Sequence, residues 1–190
     1  MVAQPAVYDA VQTLAGTSQL DGRLAPHLSS LPSGALIVDV GGGTGLPRPL
    51  LPDDSRYVCV DADLVKLRGF LRKQRLGNAV CGDAAALPLP DVRFDLVVCK
   101  MVGHHLTDPQ LARMFRECAR VLRPGARMLF IDPVQAPDRI RSRLLWRYDR
   151  GSFPRAPDLL KQAMAAEFEI THWSVFAIHH RYVLGVGTRR

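Results

Sequence analysis

The sequence predicts an α/β chain with a doubly wound, mostly parallel sheet, and three observations carry that expectation. The run Ala35-Leu36-Ile37-Val38-Asp39-Val40-Gly41-Gly42-Gly43-Thr44-Gly45 is an apolar strand emptying into glycines. Such a junction lets the backbone turn tightly at a strand end and lie against a ligand. Further apolar runs follow at βαβ intervals: Tyr57-Val58-Cys59-Val60, Ala79-Val80-Cys81 and Phe94-Asp95-Leu96-Val97-Val98-Cys99. The last is nearly continuous, as in a strand covered on both faces. The stretch after Asp108 places Leu111, Met114, Phe115, Cys118 and Leu122 on one face at helical spacing, opposite Arg113, Arg116, Glu117 and Arg120.

The glycine spacing narrows the ligand. A dinucleotide fingerprint needs a sixth-position glycine counted from Gly41, and Leu46 stands there. What remains is G-x-G-x-G on Gly41, Gly43 and Gly45. Asp61 closes the second strand about twenty residues after the first glycine, where an acid meets a ribose. Gly82-Asp83-Ala84 closes the third. Lys100 and Met101 close the fourth and lead into Val102-Gly103-His104-His105-Leu106. Asp108 is expected to cap the following helix, with Pro109 in its first turn. The helix is expected to close at Arg123-Pro124-Gly125, with a fifth strand over Met128 to Ile131.

Together these motifs resemble the class I S-adenosylmethionine-dependent methyltransferases, especially the small-molecule enzymes of the methyltransferase 11 type. Arg123-Pro124-Gly125 resembles the family's "RvLkPGG" stretch, with Ala126 where a second glycine is usual. The resemblance implies a Rossmann-like seven-stranded sheet of order 3-2-1-4-5-7-6, strand 7 antiparallel. It also implies S-adenosyl-L-methionine as cofactor and S-adenosyl-L-homocysteine as product. The cofactor set it implies is Tyr8, Asp39, Gly41, Gly43, Gly45, Asp61, Ala62, Asp83, Ala84, Lys100 and Met101. Asp61 would serve the ribose, Ala62 and Asp83 the adenine, and Tyr8 the methionine end. Asp61 has a plainer reading too, as a cap of the next helix.

One domain is expected, with a helical cap over 1–33, a cofactor core over 34–133, a substrate-covering segment over 134–157, and a last helix and antiparallel strand pair over 158–190. The cap is expected to be interrupted near Gly16 and Pro26. Phe168 to Ile178 and Arg181 to Gly187 read as the two last strands, joined at His179-His180 and weakened locally by Gly185 and Gly187. Pro49 and Pro52 leave room only for a short helix after the glycine loop.

A chain of 190 residues without a long apolar run or a basic, apolar leader is expected in the cytoplasm. Cys59, Cys81, Cys99 and Cys118 read as small buried hydrophobes, and no metal site is expected from either cysteines or histidines.

Net charge is +7, and arginine supplies 21 of the 25 basic residues. Arg139, Arg141, Arg143, Arg147, Arg150 and Arg155 crowd one segment, either as a solvated face or as a grip on an acidic or phosphorylated acceptor. Tyr148 and Arg150 are the substrate candidates there, near Asp149.

Methyl transfer from a sulfonium asks the protein chiefly to align reactants and exclude water. If the acceptor is a hydroxyl a base is needed, and His104 and His105 are the candidates, each with a structural alternative. Transfer to a small acceptor at oxygen is the expected reaction. A nucleic-acid methyltransferase draws on the charge, but Lys100-Met101-Val102-Gly103 stands where an Asn-Pro-Pro-Tyr-like motif would be. A cofactor-binding protein without transfer is the remaining alternative. Oligomeric state is not legible.

Overall fold

In a computed structural model, residues 17–28, 31–73, 76–135, 153–178 and 181–190 are described. The elements are α1 (Thr17–Leu28), β1 (Leu36–Val40), β2 (Arg56–Asp61), α2 (Leu64–Arg72), β3 (Asn78–Cys81), β4 (Phe94–Lys100), α3 (Asp108–Val121), β5 (Leu122–Pro133), α4 (Pro157–Ala165), β6 (Phe168–Ala177) and β7 (Arg181–Arg189). Two 3-10 turns, Arg48–Leu50 and Gly103–His105, sit at the ends of loops.

The sheet runs β3-β2-β1-β4-β5-β7-β6, as expected. Strands β1 to β5 are parallel, and β7 pairs antiparallel with both β5 and β6. Register aligns the functional edge: Val40 lies beside Val60 and Cys99, Asp61 beside Cys81, and Lys100 beside Ile131. In a doubly wound sheet this carboxyl edge is where ligands settle.

Alternate residues of the central strands feed two cores. One face buries Val38, Val58, Val97 and Phe130 beneath the apolar stripe of α3 and Leu160 and Met164 of α4. The other buries Ile37, Tyr57, Leu96 and Ile131 beneath α1 and α2. The stripe Leu20, Leu24 and Leu28 lays α1 along that face. Pro26 lies inside the last turn of α1 rather than interrupting it. Lacking an N–H, Pro26 removes one backbone bond of that turn, and the helix ends two residues later at Leu28.

Several boundaries differ from the sequence reading. Thr107, not Asp108, is the N-cap of α3, its N–H accepted by Gln110 Oε1 at 2.9 Å. The Asp108 carboxylate is instead taken by Arg155 Nε at 2.7 Å. Helix α3 stops at Val121 and β5 follows at once, with Gly125 at φ +74° inside it where the register with β4 shifts. The fifth strand is longer than the stretch from Met128 to Ile131, because β7 pairs with it as far as Pro133. Cys81 is exposed, whereas the other three thiols are buried, because β3 is a short edge strand. Gly185 and Gly187 serve close packing: a Cβ on Gly185 would lie 2.6 Å from the Trp173 ring, and one on Gly187 2.7 Å from Phe168 Cβ.

Candidate cofactor site

Three glycines with positive φ, Gly41 at +71°, Gly43 at +57° and Gly45 at +71°, turn the chain out of β1. Gly41 and Gly42 both donate to Val60 O, which ties the loop to the end of β2. Gly43 N–H donates to Asp61 Oδ2 at 2.9 Å, while Asp61 Oδ1 accepts from Asp63 N at 2.8 Å. Asp61 is thus held by one backbone donor on each oxygen, and each oxygen keeps a further acceptor site. The cap of α2 is a different residue: Asp63 accepts from Val65 N and Lys66 N. That removes the plainer reading of Asp61.

Asp39 is 1% exposed on the wall of a crevice that also takes in Gly41, Gly42, Leu46, Lys100 and Met101. Tyr57 donates to Asp39 Oδ2 at 2.5 Å, and Asp39 Oδ1 has no partner among the described residues. Burial lifts the carboxyl from 3.8 to about 6, against the downward pull of the Tyr57 hydrogen bond and the Lys100 charge. A buried acceptor without a donor is costly, and a cationic or N–H-bearing ligand group would relieve it.

Lys100 is 9% exposed and pairs with Asp21 of α1 at 2.6 Å. Met101 follows in the left-handed region at φ +63°, its N–H given to Ile131 O at 2.8 Å. A non-glycine residue held there at a strand end is a local strain of the sort that gathers at functional sites. Ala62 and Asp83 are exposed and Ala84 is half-buried, beyond the ends of β2 and β3. Asp83 Oδ1 accepts from Ala85 N at 2.8 Å, fixing the turn.

The two histidines part company. His105 is exposed, whereas His104 is 2% exposed with Nδ1 2.9 Å from Asp132 Oδ1 at the end of β5. An ionised carboxylate only accepts, so this contact selects the tautomer with the proton on Nδ1 and the lone pair on Nε2. The ring centroids of the two histidines are 4.0 Å apart.

Arg155 does not reach for a ligand. It is 7% exposed, and its guanidinium donates to Asp108, Gly103 O, Phe153 O and Leu106 O, the last at 2.5 Å. It therefore fastens the loop after β4, and its expected place in an acceptor-gripping cluster is corrected. Tyr8, Tyr148 and Arg150, with Asp149 and the His179-His180 reversal, lie outside the described residues.

Sequence reading missed four contributors. Tyr57, Asp132 and Asp21 act on partners 18, 28 and 79 positions away, beyond any local motif. Gly42 occupies an x position of the glycine pattern, yet a Cβ there would sit 2.5 Å from Asp39 Oδ2.

Among the described residues no group of three His, Cys, Asp or Glu side chains could hold a metal, and no helix is long and apolar enough to cross a membrane.

A glycine-turned strand end, an acid at the end of the next strand and an unpartnered buried carboxylate define a nucleoside-binding α/β protein. The family described as a methyltransferase domain matches residues 38–130. The chain is 37% identical over 132 residues to the malonyl-[acyl-carrier protein] O-methyltransferase of Methylococcus capsulatus, covering 65% of this chain and 46% of that protein. It is 31% identical over 170 residues to the ubiquinone/menaquinone biosynthesis C-methyltransferase of Hahella chejuensis, covering 83% and 67%. A structure of geranyl diphosphate methyltransferase in complex with SAM superposes with a TM-score of 0.75 at 14% identity, covering 91% of this chain and 85% of that one. The chain therefore belongs to the class I S-adenosylmethionine-dependent methyltransferases. It spans about half to two thirds of the length of the curated relatives named here.

Proposed function

We propose that this chain transfers the methyl group of S-adenosylmethionine to an oxygen of a small acceptor carrying an acidic or phosphate group. The cofactor supplies an activated, electrophilic methyl carbon. The protein's part is to bind, orient and manage a proton. Asp39 Oδ1 and the glycine turn suit the cationic amino-acid end of the cofactor, with Lys100 and Met101 on the same wall. Asp61 suits the ribose hydroxyls, and Ala62, Asp83 and Ala84 the base.

The observation that carries transfer to oxygen is the buried His104–Asp132 pair, next to the carboxyl ends of β4 and β5. An acceptor hydroxyl must lose its proton as it attacks, and an imidazole with an ordinary pKa near ~6.5 accepts it at neutral pH. Asp132 would hold the ring in the tautomer that offers Nε2, and stabilise the imidazolium formed. The arginine-rich sequence after β5 supports an acidic acceptor. The named relatives comprise both an O- and a C-methyltransferase.

The test is turnover with small phenols, carboxylates and phosphorylated alcohols, following S-adenosylhomocysteine release and locating the new methyl by NMR. Methyl on oxygen, lost in His104→Asn with S-adenosylhomocysteine affinity intact, is expected. Methyl on carbon, or full turnover in that variant, would refute the reading.

A further inference from the structure

At the opposite, amino end of the strands lies a groove of about 550 Å3. Its apolar floor is Leu36, Val58, Val80 and Leu89, and Arg56 and Arg93 stand on its rim. The volume falls in the range of small-molecule pockets, roughly 300 to 1,000 Å3.

The groove exists because one crossover lacks a helix. Parallel sheets ordinarily have both faces covered by helices. Here α1 and α2 cover one face, and α3 and α4 cover the other only over the middle and far strands. The β3-to-β4 connection, residues 82–93, contains no helix, so the β2–β3 side of that face is shielded by a loop alone. Leu36, Val80 and Leu89 consequently remain half-buried.

Arg56 and Arg93 are the charged side chains of the groove's lining. Of the acids nearby in sequence, Asp91 pairs with Arg120 and Asp95 with Arg123, while Asp54 accepts from Ser33 Oγ and Gly34 N. Arg56 and Arg93 are exposed, and among the described residues neither guanidinium has a carboxylate partner. The segment bearing Arg93 is also fixed. Val92 is held at φ +50°, an outlier for a β-branched residue, while its N–H and that of Arg93 are given to Arg120 O and Val121 O at 2.9 and 2.7 Å.

We propose that this groove is a second binding site, separate from the cofactor crevice, for a small amphipathic anion: an apolar body along Leu36, Val58, Val80 and Leu89, with its anionic head at Arg56 and Arg93. Guanidinium pairs favour carboxylate and phosphate heads alike, since both accept charge-assisted, bidentate hydrogen bonds.

The test is calorimetric titration of the full chain with decanoate and with decyl phosphate below their micelle concentrations, and with decanol as the uncharged control. Saturable one-to-one binding of either anion is expected, the tighter of the two identifying the head group. Decanol should bind at least tenfold more weakly. Arg56→Ala combined with Arg93→Ala should weaken the anion at least tenfold while leaving S-adenosylhomocysteine affinity unchanged, since both side chains stand away from the crevice. Saturating S-adenosylhomocysteine should not displace the anion. Absence of saturable binding by both anions, equal binding of decanol, indifference to the arginine substitutions, or displacement by S-adenosylhomocysteine would each overturn the proposal.

Discussion

The Tyr57 hydroxyl donates to Asp39 Oδ2 at 2.5 Å across the β1–β2 pairing, and this one contact leaves Asp39 Oδ1 as the acceptor presented by the crevice wall. The phenol both aims the carboxylate and opposes the rise in its pKa. Tyr57→Phe should weaken S-adenosylhomocysteine binding by about 0.5 to 1.5 kcal/mol at pH 7, as for loss of one buried hydrogen bond. Calorimetry at that pH reads the change directly.

Asp39 should make stability and binding respond to pH with opposite signs. Its folded pKa of about 6 lies above the 3.8 of an ordinary aspartate, so the folded form binds the proton more tightly. Its contribution to stability is complete below pH 4 and is lost as pH rises through 6, a loss of roughly 3 kcal/mol at about 1.36 kcal/mol for each pKa unit. Asp39→Asn should therefore raise the melting temperature at pH 8 and leave it nearly unchanged at pH 4. On the role proposed for Asp39 binding should run the other way, because the ionised carboxylate is the better acceptor for a cationic group. S-adenosylhomocysteine affinity should fall as pH drops below 6 in the parent protein and be flat in Asp39→Asn.

Asp61→Ala should weaken S-adenosylhomocysteine by about 1.5 to 3 kcal/mol, the loss expected of the charge-assisted hydrogen bonds proposed between Asp61 and the ribose. The variant also strands the N–H groups of Gly43 and Asp63, so the glycine turn itself should loosen. Asp61→Asn, which retains one acceptor oxygen, should lose less than the alanine variant. Equal affinity of Asp61→Ala and the parent would remove Asp61 from the ribose role.

Gly41→Ala meets two obstacles of separable origin. A Cβ there would sit 2.2 Å from Val102 Cγ2, and the backbone at φ +71° disfavours any side chain. Val102→Ala added to Gly41→Ala should restore the steric part and leave a residual cost of about 1 to 2 kcal/mol from the left-handed conformation. A double-mutant cycle by thermal or urea unfolding separates the two.

Arg155→Met should destabilise the fold by about 2 to 4 kcal/mol, because the carbonyls of Gly103 and Leu106 lose their guanidinium donors together. Arg155→Lys should not recover the loss, since an ammonium lacks the planar fork that reaches both carbonyls. Urea unfolding of the three proteins checks this.

The glycine turn was legible because it is written in short stretches: an apolar strand, its terminal glycines, and an acid at the end of the next strand; the sheet order followed only from the family resemblance those stretches carry. Asp61 was found by its distance from Gly41, whereas the hydrogen bond from Gly43 that fixes it needed the fold. The cap of α3 was misplaced by one residue because Asp108 is as good a capping type as Thr107, and only the Arg155 contact shows why the aspartate is engaged elsewhere. Arg155 carried no mark separating it from the arginines near it in sequence. His104 and His105 adjoin in the chain, and the family resemblance pointed to His105, whereas folding buries His104 against Asp132 and leaves His105 exposed.

The clasp around Arg155 has a consequence for how such a chain diversifies. Phe153 N–H reaches His104 O at 3.1 Å and Gln135 N–H reaches Arg155 O at 2.9 Å, so the chain leaves and rejoins the body at one stem. Once a stem is closed, lengthening what it carries is cheap, about 0.6 kcal/mol for each doubling. Insertions between positions 135 and 153 should therefore cost the fold little, so descendants of this sequence can vary in length there while the sheet and its glycine turn stay as they are.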